Sequence, residues 1–152
     1  MKKRGYFILA FIIIGGLVSF VSSPLGGNKC TGDEEYAVGL GSLGAYSLIK
    51  DYRINLKSGD PAPNENFMIS LKAGLKYRFL PINNPDNKKK MIMSIYMNQQ
   101  KGMMLATSFN KATGKHYPTI DFVCRTTGTF YVFFEMEEGD KGCGVGMFSV
   151  AN

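Results

Sequence analysis

The sequence contains no tryptophan and a single histidine, His116. Carbohydrate-binding sandwiches often present tryptophan for stacking, so in this chain only Tyr or Phe could fill that role. A catalytic triad would have to include His116, and no Gly-x-Ser-x-Gly elbow accompanies it. Cysteine and carboxylate ligands at zinc-binding spacings are missing too. We therefore predict no catalytic residue, no metal site and no cofactor, and we interpret His116 as a solvated loop residue.

The net positive charge is small once the N-terminal segment is set aside. The formal net charge of +6 comes from 18 basic and 12 acidic residues, but Lys2, Lys3 and Arg4 lie in that segment. Without these three, 15 basic and 12 acidic residues remain, a net charge of +3 for residues 24–152. Such a balance lacks the strongly basic patch that nucleic-acid-binding domains carry, so we predict no nucleic-acid partner.

One long apolar run occurs, Phe7–Val21, FILAFIIIGGLVSFV, and it begins three positions after the basic Met1–Arg4 ends. This order is typical of a secretory signal, and the run is shorter than the roughly 20 residues that span a bilayer. We predict that residues 1–27 are a signal peptide or an N-terminal anchor; the third reading is a buried core helix. In the first two cases the rest of the chain is periplasmic, at the cell surface or secreted, and it meets the membrane only through an uncleaved segment.

The remainder shows the two-residue alternation of β-strands. Residues 28–44 are interpreted as an exposed leader or weak first strand, and residues 45–152 as one β-sandwich domain. Tyr52, Ile54 and Leu56 share one strand face, and Leu75, Tyr77 and Phe79 alternate in the same way. About eight strands are expected, with no amphipathic helix after residue 28. The fold class predicted is all-β, an antiparallel β-sandwich of jelly-roll type preceded by an N-terminal hydrophobic export helix.

Two segments carry a resemblance to a known family. Leu71–Phe79, LKAGLKYRF, resembles the L-x-x-G-x-x-Y-x-F strand pair of bacterial pre-peptidase C-terminal domains, and Ile120–Val132, IDFVCRTTGTFYV, is similar to their arch and following strand. Gly146–Val150 stands at the position of their closing strand. The resemblance, which extends to eukaryotic GOLD domains, implies a small jelly-roll module that binds or localises rather than catalyses. No enzyme domain is attached to it in this sequence.

Three cysteines leave the disulfide pattern open. Cys30, Cys124 and Cys143 are an odd number, so at least one has no partner within the chain. In a simple up-and-down order, Cys124 and Cys143 lie near opposite turns, about 20 Å apart at 3.3 Å per residue, whereas a bridge needs Cα atoms within about 7 Å. A Cys124–Cys143 bridge, a bridge from Cys30 and no bridge at all remain alternatives.

Several other patterns are weak. Gly39–Gly44 matches G-x-G-x-x-G, but a strand-like segment follows it instead of a helix, so we expect no dinucleotide site. Lys88–Lys90 is interpreted as a solvated loop. An acidic patch near the last turn matches no calcium-binding loop; it comprises Glu135, Glu137, Glu138 and Asp140.

The methionines of Met91–Met104 suggest where a partner binds. Both faces of Met91–Met97 are apolar, and an outward apolar face favours a protein partner. We predict an exported non-enzymatic binding or structural module of the periplasm or cell surface, which recognises a protein or cell-envelope component. The alternative is a carbohydrate-binding accessory module with Tyr96 or Tyr117 as stacking aromatics. The candidate binding surface consists of Met91, Met93, Tyr96, Met103 and Tyr117.

Overall fold

The computed structural model describes residues 30–152, so the predicted signal peptide or anchor lies outside the described residues. No helix within them is long and apolar enough to cross a membrane. A short helix, α1, comes first, ten strands follow, and a 3₁₀ turn at Glu137–Gly139 precedes the last strand. The elements are α1 (Asp33–Ser42), β1 (Tyr46–Leu56), β2 (Asn64–Leu71), β3 (Lys76–Asn83), β4 (Met91–Tyr96), β5 (Met104–Thr107), β6 (Phe109–Asn110), β7 (Lys115–His116), β8 (Ile120–Val123), β9 (Gly128–Met136) and β10 (Gly142–Ala151).

The strands form two four-stranded sheets and one small hairpin. Sheet A has the order β1-β10-β3-β8, sheet B has the order β2-β9-β4-β5, and β6 pairs with β7. Every pairing is antiparallel. The predicted all-β, antiparallel class is therefore confirmed, and each predicted strand corresponds to one of the eight strands of the two large sheets.

Side chains from both sheets enter one hydrophobic core. Alternation places Tyr52, Ile54 and Leu56 of sheet A in this core, as predicted, and it does the same for Phe130, Val132 and Phe134 of sheet B. Stacked rings of Tyr52 and Phe67, with centroids 4.3 Å apart, join β1 to β2. The other buried members of the core are Ile69, Leu71, Tyr77, Phe79, Met91, Met93, Ile95, Ile120, Cys124, Met136 and Phe148.

Glycines on β10 allow sheet B side chains to approach the backbone of sheet A. A Cβ atom placed on Gly146 would collide with the ring of Phe134, and one on Gly142 would lie 2.5 Å from Cε of Met136. These positions are four residues apart on one strand, an even separation, so the same face of β10 is bare at both. The glycine pattern G-C-G-V-G thus serves close packing between the sheets.

Helix α1 corrects the interpretation of residues 28–44 as an exposed leader or weak first strand. Three acidic residues in its first turn, Asp33–Glu35, stabilise the helix because negative charge interacts favourably with the N-terminal end of the helix dipole. Gly39 of the helix lies against Met147 of β10. Leu43, at the C-terminal end, joins a second apolar cluster with Leu80, Val145 and Met147. Helical periodicity was hidden because the residue in closest contact is a glycine, which carries no hydrophobic side chain.

The cysteine alternatives resolve to a bond between Cys30 and Cys143, with Cα atoms 5.7 Å apart. Cys124 is a free, buried thiol whose Sγ donates to the carbonyl of Thr126 at 3.1 Å. The bond attaches the segment before α1 to the start of β10. That start is also held by the side chain of Asn87, which accepts from the Cys143 amide at 3.1 Å and donates to its carbonyl at 2.6 Å.

Candidate ligand-binding groove

The outer face of sheet B carries a stripe of large side chains that crosses all four strands. Tyr131 pairs with Met68 on one side and with Tyr96 on the other, and Tyr96 pairs with Met104. Side chains of directly paired residues lie on the same face of a sheet, so these four form one row. Met68 and Met104, the two ends, are 68% and 53% exposed.

A groove of about 630 Å³ lies on this face beside the stripe. Its floor includes Ile92, Ser94 and Thr107, which are neighbours on β4 and β5, and the Ser94 hydroxyl donates to Thr107 Oγ1 at 3.0 Å. Tyr96 and Met104 line one end. Two connections build the walls: the β4–β5 turn on one side, and on the other the β6–β7 hairpin with the following Tyr117.

An ion pair crosses the wall formed by the β4–β5 turn. Lys101 lies in this turn and has a positive φ of 56°. Its Nζ lies 3.3 Å from Oε2 of Glu135 and 4.8 Å from the ring centroid of Phe133. The Phe133 ring in turn packs edge-on against Tyr96, at 5.2 Å between centroids. Both residues of the ion pair line the groove, so they neutralise each other's charge there.

The hairpin wall, in contrast, carries positive charges that have no acidic partner in the described part of the chain. Lys111 lines the groove, and Lys115 holds its Nζ 5.1 Å from the ring centroid of Tyr117. Neither lysine forms an ion pair within 4.0 Å to any residue between positions 30 and 152. The hairpin wall therefore carries two lysines without an ion-pair partner among these residues, and one of them, Lys115, lies over the ring of Tyr117.

A second, acidic groove of about 730 Å³ adjoins the first. Both are lined by Ile92, Phe109, Lys111 and Glu135, while Asp60, Glu137 and Glu138 line the second alone. The two grooves thus meet along the hairpin wall. One end of the combined surface is aromatic and basic, and the other is acidic.

Some residues of the predicted binding surface line the first groove, and others are buried in the core. Tyr96 and Tyr117 both line the first groove, although they are 21 positions apart in the sequence. Met103 is 57% exposed, but its neighbour Met104 lines the groove in its place. Including Met91 and Met93 was wrong, since both are 1% exposed and belong to the core. They alternate with Ile92 and Ser94, which take the outward face of β4.

His116 is not the solvated residue predicted, because its side chain is only 15% exposed and contacts Glu137 of the acidic patch, while Glu138 of the patch pairs with a lysine. The His116 ring packs on Phe109 at 4.5 Å, and its Nε2 lies 3.4 Å from Oε2 of Glu137. Glu138 accepts from Lys89 at 2.7 Å, and this hydrogen bond raises the pKa of Lys89. Across the described part of the chain, no three His, Cys, Asp or Glu side chains are grouped to hold a metal ion.

Sequence reasoning missed Lys101, Glu135, Thr107 and Lys111 as groove residues. Lys101 and Glu135 are 34 positions apart and meet only because β4 and β9 are neighbours in sheet B. The one local signal is the polar segment Gln99–Gly102 between two apolar runs, which is typical of a turn, since connecting segments lie at the protein surface. Gly39–Gly44, the weak glycine motif, lies at the end of α1 and enters no groove on sheet B.

The chain matches no protein-family model, and no curated protein is significantly similar to it in sequence.

Proposed function

We propose that this chain is an exported, non-enzymatic binding module that recognises a protein or another component of the cell envelope through the groove on sheet B. The observation that carries the proposal is the convergence of Tyr96, Tyr117, Lys101 and Glu135 on one groove of about 630 Å³. Ligand sites are typically concave, largely apolar and furnished with a few polar groups, and their volumes fall in this range.

We further propose that the fold is a β-sandwich of jelly-roll type. The strand order supports it: with the two-residue strands β6 and β7 left out, the chain alternates between sheets A and B except at β4–β5, where it stays in sheet B. Eight strands in two sheets with crossing connections are what two Greek keys produce. The shared core and the bare face of β10 against Phe134 also support it.

The proposed relation to pre-peptidase C-terminal domains rests on the same strands. Leu71–Phe79 spans the end of β2, a turn and the start of β3, and Ile120–Val132 spans β8 and the start of β9. Both segments therefore connect one sheet to the other, as a strand pair and an arch would. A relation of this kind favours binding over catalysis.

Export to an oxidising compartment is proposed from residues 1–27 and supported by the Cys30–Cys143 bond. Disulfides persist in the periplasm, at the cell surface and in secreted proteins, and they are rare in the cytosol. A periplasmic, cell-surface or secreted location also fits a partner in the envelope. Fractionation of cells producing the full chain with a C-terminal tag tests this, and recovery in the cytosol alone would contradict it.

Binding itself is tested by blocking the groove. Ala112 is exposed on the hairpin wall, so Ala112→Phe adds bulk to the groove without entering the core. We expect the tagged full chain, purified in mild detergent, to retain a component of isolated native envelopes, and Ala112→Phe to abolish that retention. Ala73→Phe, the same change in the exposed β2–β3 turn, is the matched control. Equal retention by both variants would contradict recognition through the groove.

A carbohydrate-binding accessory module is the second candidate. The specific observation that favours it is the shared position of Tyr96 and Tyr117, the two aromatics predicted for stacking, in one groove. In this case the retained component is a polysaccharide, and protease treatment of the envelopes leaves retention unchanged.

A further inference from the structure

We infer that the ligand of the groove is an anionic saccharide chain, bound along the stripe of large side chains with its negative groups against the lysines of the β6–β7 hairpin. This inference rests on the proposed function and deepens it by naming the ligand class. It depends on three features: the shape of the stripe, the amphipathic character of its rings, and the position of the unpaired charges.

The stripe has the dimensions of an extended ligand. Met68, Tyr131, Tyr96 and Met104 occupy four adjacent strands, so the row is about 15 Å long at 4.8 Å per strand. It runs across the strands, and the groove opens beside its β5 end. A linear oligomer fits such a row, whereas a single small metabolite would fill only part of it.

Aromatic rings suit a ligand that is apolar on its ring faces and polar at its edges. A tyrosine presents a flat apolar body together with a hydroxyl that exchanges hydrogen bonds with polar partners. Sugar rings have the complementary character, with C–H groups on their faces and hydroxyls around the rim. Tyr96 and Tyr117 line the same groove, so a sugar bound there has two tyrosine rings available for contact.

The charges of the groove-lining side chains favour an anionic ligand over a neutral one. Within the first groove, Glu135 is engaged by Lys101, whereas Lys111 and the nearby Lys115 have no acidic partner among the described residues. The uncompensated charge at the aromatic end is therefore positive. The acidic second groove disfavours anions beyond the hairpin wall. Together they favour the hairpin lysines as the place where the negative groups of a ligand bind.

The experiment measures binding of defined oligosaccharides to the full chain in mild detergent. The probes are fluorescent oligomers of galacturonate, alginate and hyaluronan; malto- and cello-oligosaccharides are the neutral probes, and polyglutamate is an anion without sugar rings. We expect at least one acidic saccharide to bind about tenfold or more tightly than both comparison classes. We also expect its affinity to fall as salt is raised, since the lysines are exposed.

Two pairs of variants connect the affinity to the groove. Tyr117→Ala should weaken binding about tenfold, while Tyr46→Ala, which removes a half-exposed tyrosine beneath Arg78 on sheet A, should not. Lys111→Ala should weaken binding and flatten its salt dependence, while Lys72→Ala, at the exposed β2–β3 turn, should do neither. Urea unfolding of each variant shows that the fold is retained.

Several results would overturn the inference. Equal affinity for polyglutamate would reduce the interaction to non-specific attraction by a basic protein, and preference for a neutral oligosaccharide would remove the role of the lysines. Failure of all three acidic probes, combined with Ala112→Phe-sensitive retention of a protein from envelopes, would refute the saccharide while sustaining the proposed function. Failure of both assays would refute the two together.

Discussion

Cys30 and Cys143 are joined by a disulfide bond across a sequence separation of 113 residues. The bond therefore closes a loop that contains nearly the whole described body. In the chain-entropy model, a cross-link stabilises the folded state by restricting the unfolded chain, and its effect grows with loop length. It also holds the segment that precedes α1 close to the first residues of β10.

Cys30→Ala is expected to lower the free energy of unfolding by about 2–4 kcal/mol, the usual range for a native disulfide. Cys30 is exposed, so the change removes the cross-link without opening a cavity. Urea unfolding monitored by circular dichroism measures the loss. A reducing agent should shift the unmodified chain by a similar amount and leave Cys30→Ala unaffected. An unfolding midpoint that does not respond to reduction would show that the bond does not stabilise the fold.

Gly146→Ala is expected to be among the most damaging single-methyl additions in this chain. The new Cβ atom would collide with the Phe134 ring, which is fully buried and belongs to the opposite sheet. Overpacking of a closed core costs about 1–3 kcal/mol, because side chains or backbone must shift. The measurement is again the free energy of unfolding in urea.

Gly41→Ala is the matched control, since it makes the same change where no other atom lies within 4 Å. Gly41 is inside α1, where alanine favours the helix by up to about 1 kcal/mol. The two substitutions should therefore have opposite signs. A neutral Gly146→Ala would mean that β10 and Phe134 are not in close contact, and the argument for face-to-face packing of the sheets would fail with it.

A pH-dependent contribution is expected from the ion pair of Arg78 and Asp121. Arg78 donates Nε to Oδ1 at 2.7 Å and Nη2 to Oδ2 at 2.9 Å. The hydrogen bond from Arg78 holds the pKa of Asp121 below its usual value of 3.8. Between the folded pKa and the usual pKa, the unfolded state therefore binds more protons than the folded state. The pair consequently stabilises the fold fully at pH values above the usual pKa. This stabilisation is lost as the pH falls through the lower, folded value.

Asp121→Asn should cost about 0.5–1 kcal/mol near neutral pH, because Asp121 is more than one-third exposed and solvent screens the pair. The difference from the unmodified chain should vanish as the pH falls below the folded pKa. Urea unfolding across this pH range tests both statements. Asp86→Asn serves as the control, since Asp86 is exposed and forms no ion pair between residues 30 and 152. A loss that is constant with pH would point to altered packing instead of charge.

The strands could be predicted from sequence where one face is buried and the other is wet. Tyr52, Ile54 and Leu56 alternate with Arg53 and Asn55, and this period of two is visible without any knowledge of neighbours. Strand β4 gave no such signal, because Ile92 and Ser94 on its outward face are each only 6% exposed. Its face assignment was therefore undetermined, and Met91 and Met93 were placed on the surface by mistake.

Individual residues of the groove could be predicted from the sequence, but their common location could not. Tyr96 and Tyr117 were recognised as candidates by residue type, but their meeting depends on how the hairpin between Phe109 and His116 folds back beside β4. Lys101 and Glu135 are brought together by the order of strands in sheet B. Strand order is a property of the whole chain, and no local pattern contains it.

Helix α1 is attached to sheet A through a buried polar contact that sequence periodicity could not reveal. Glu35 is 4% exposed, and its Oε1 accepts from Nδ2 of Asn84, which is 8% exposed. Removing the donor leaves a buried carboxylate oxygen unpaired, a loss of about 1–3 kcal/mol. We expect Asn84→Ala to destabilise the docking of α1, seen as faster hydrogen exchange of its amides, including that of Tyr36, which donates to the Gly32 carbonyl at 2.9 Å.

The comparison with Glu35→Gln isolates the contact from the side-chain volume. Glutamine keeps the oxygen that accepts from Asn84, so amide exchange in α1 should stay close to that of the unmodified chain. Asn84 also accepts from the Asp86 amide at 3.0 Å, and Asn84→Ala therefore loosens the β3–β4 loop as well. In Glu35→Gln this second contact is intact. If Asn84→Ala accelerated exchange in the loop but not in α1, the helix would be held by its other contacts with sheet A, which are the ion pair of Asp33 with Arg53 and the apolar cluster around Leu43.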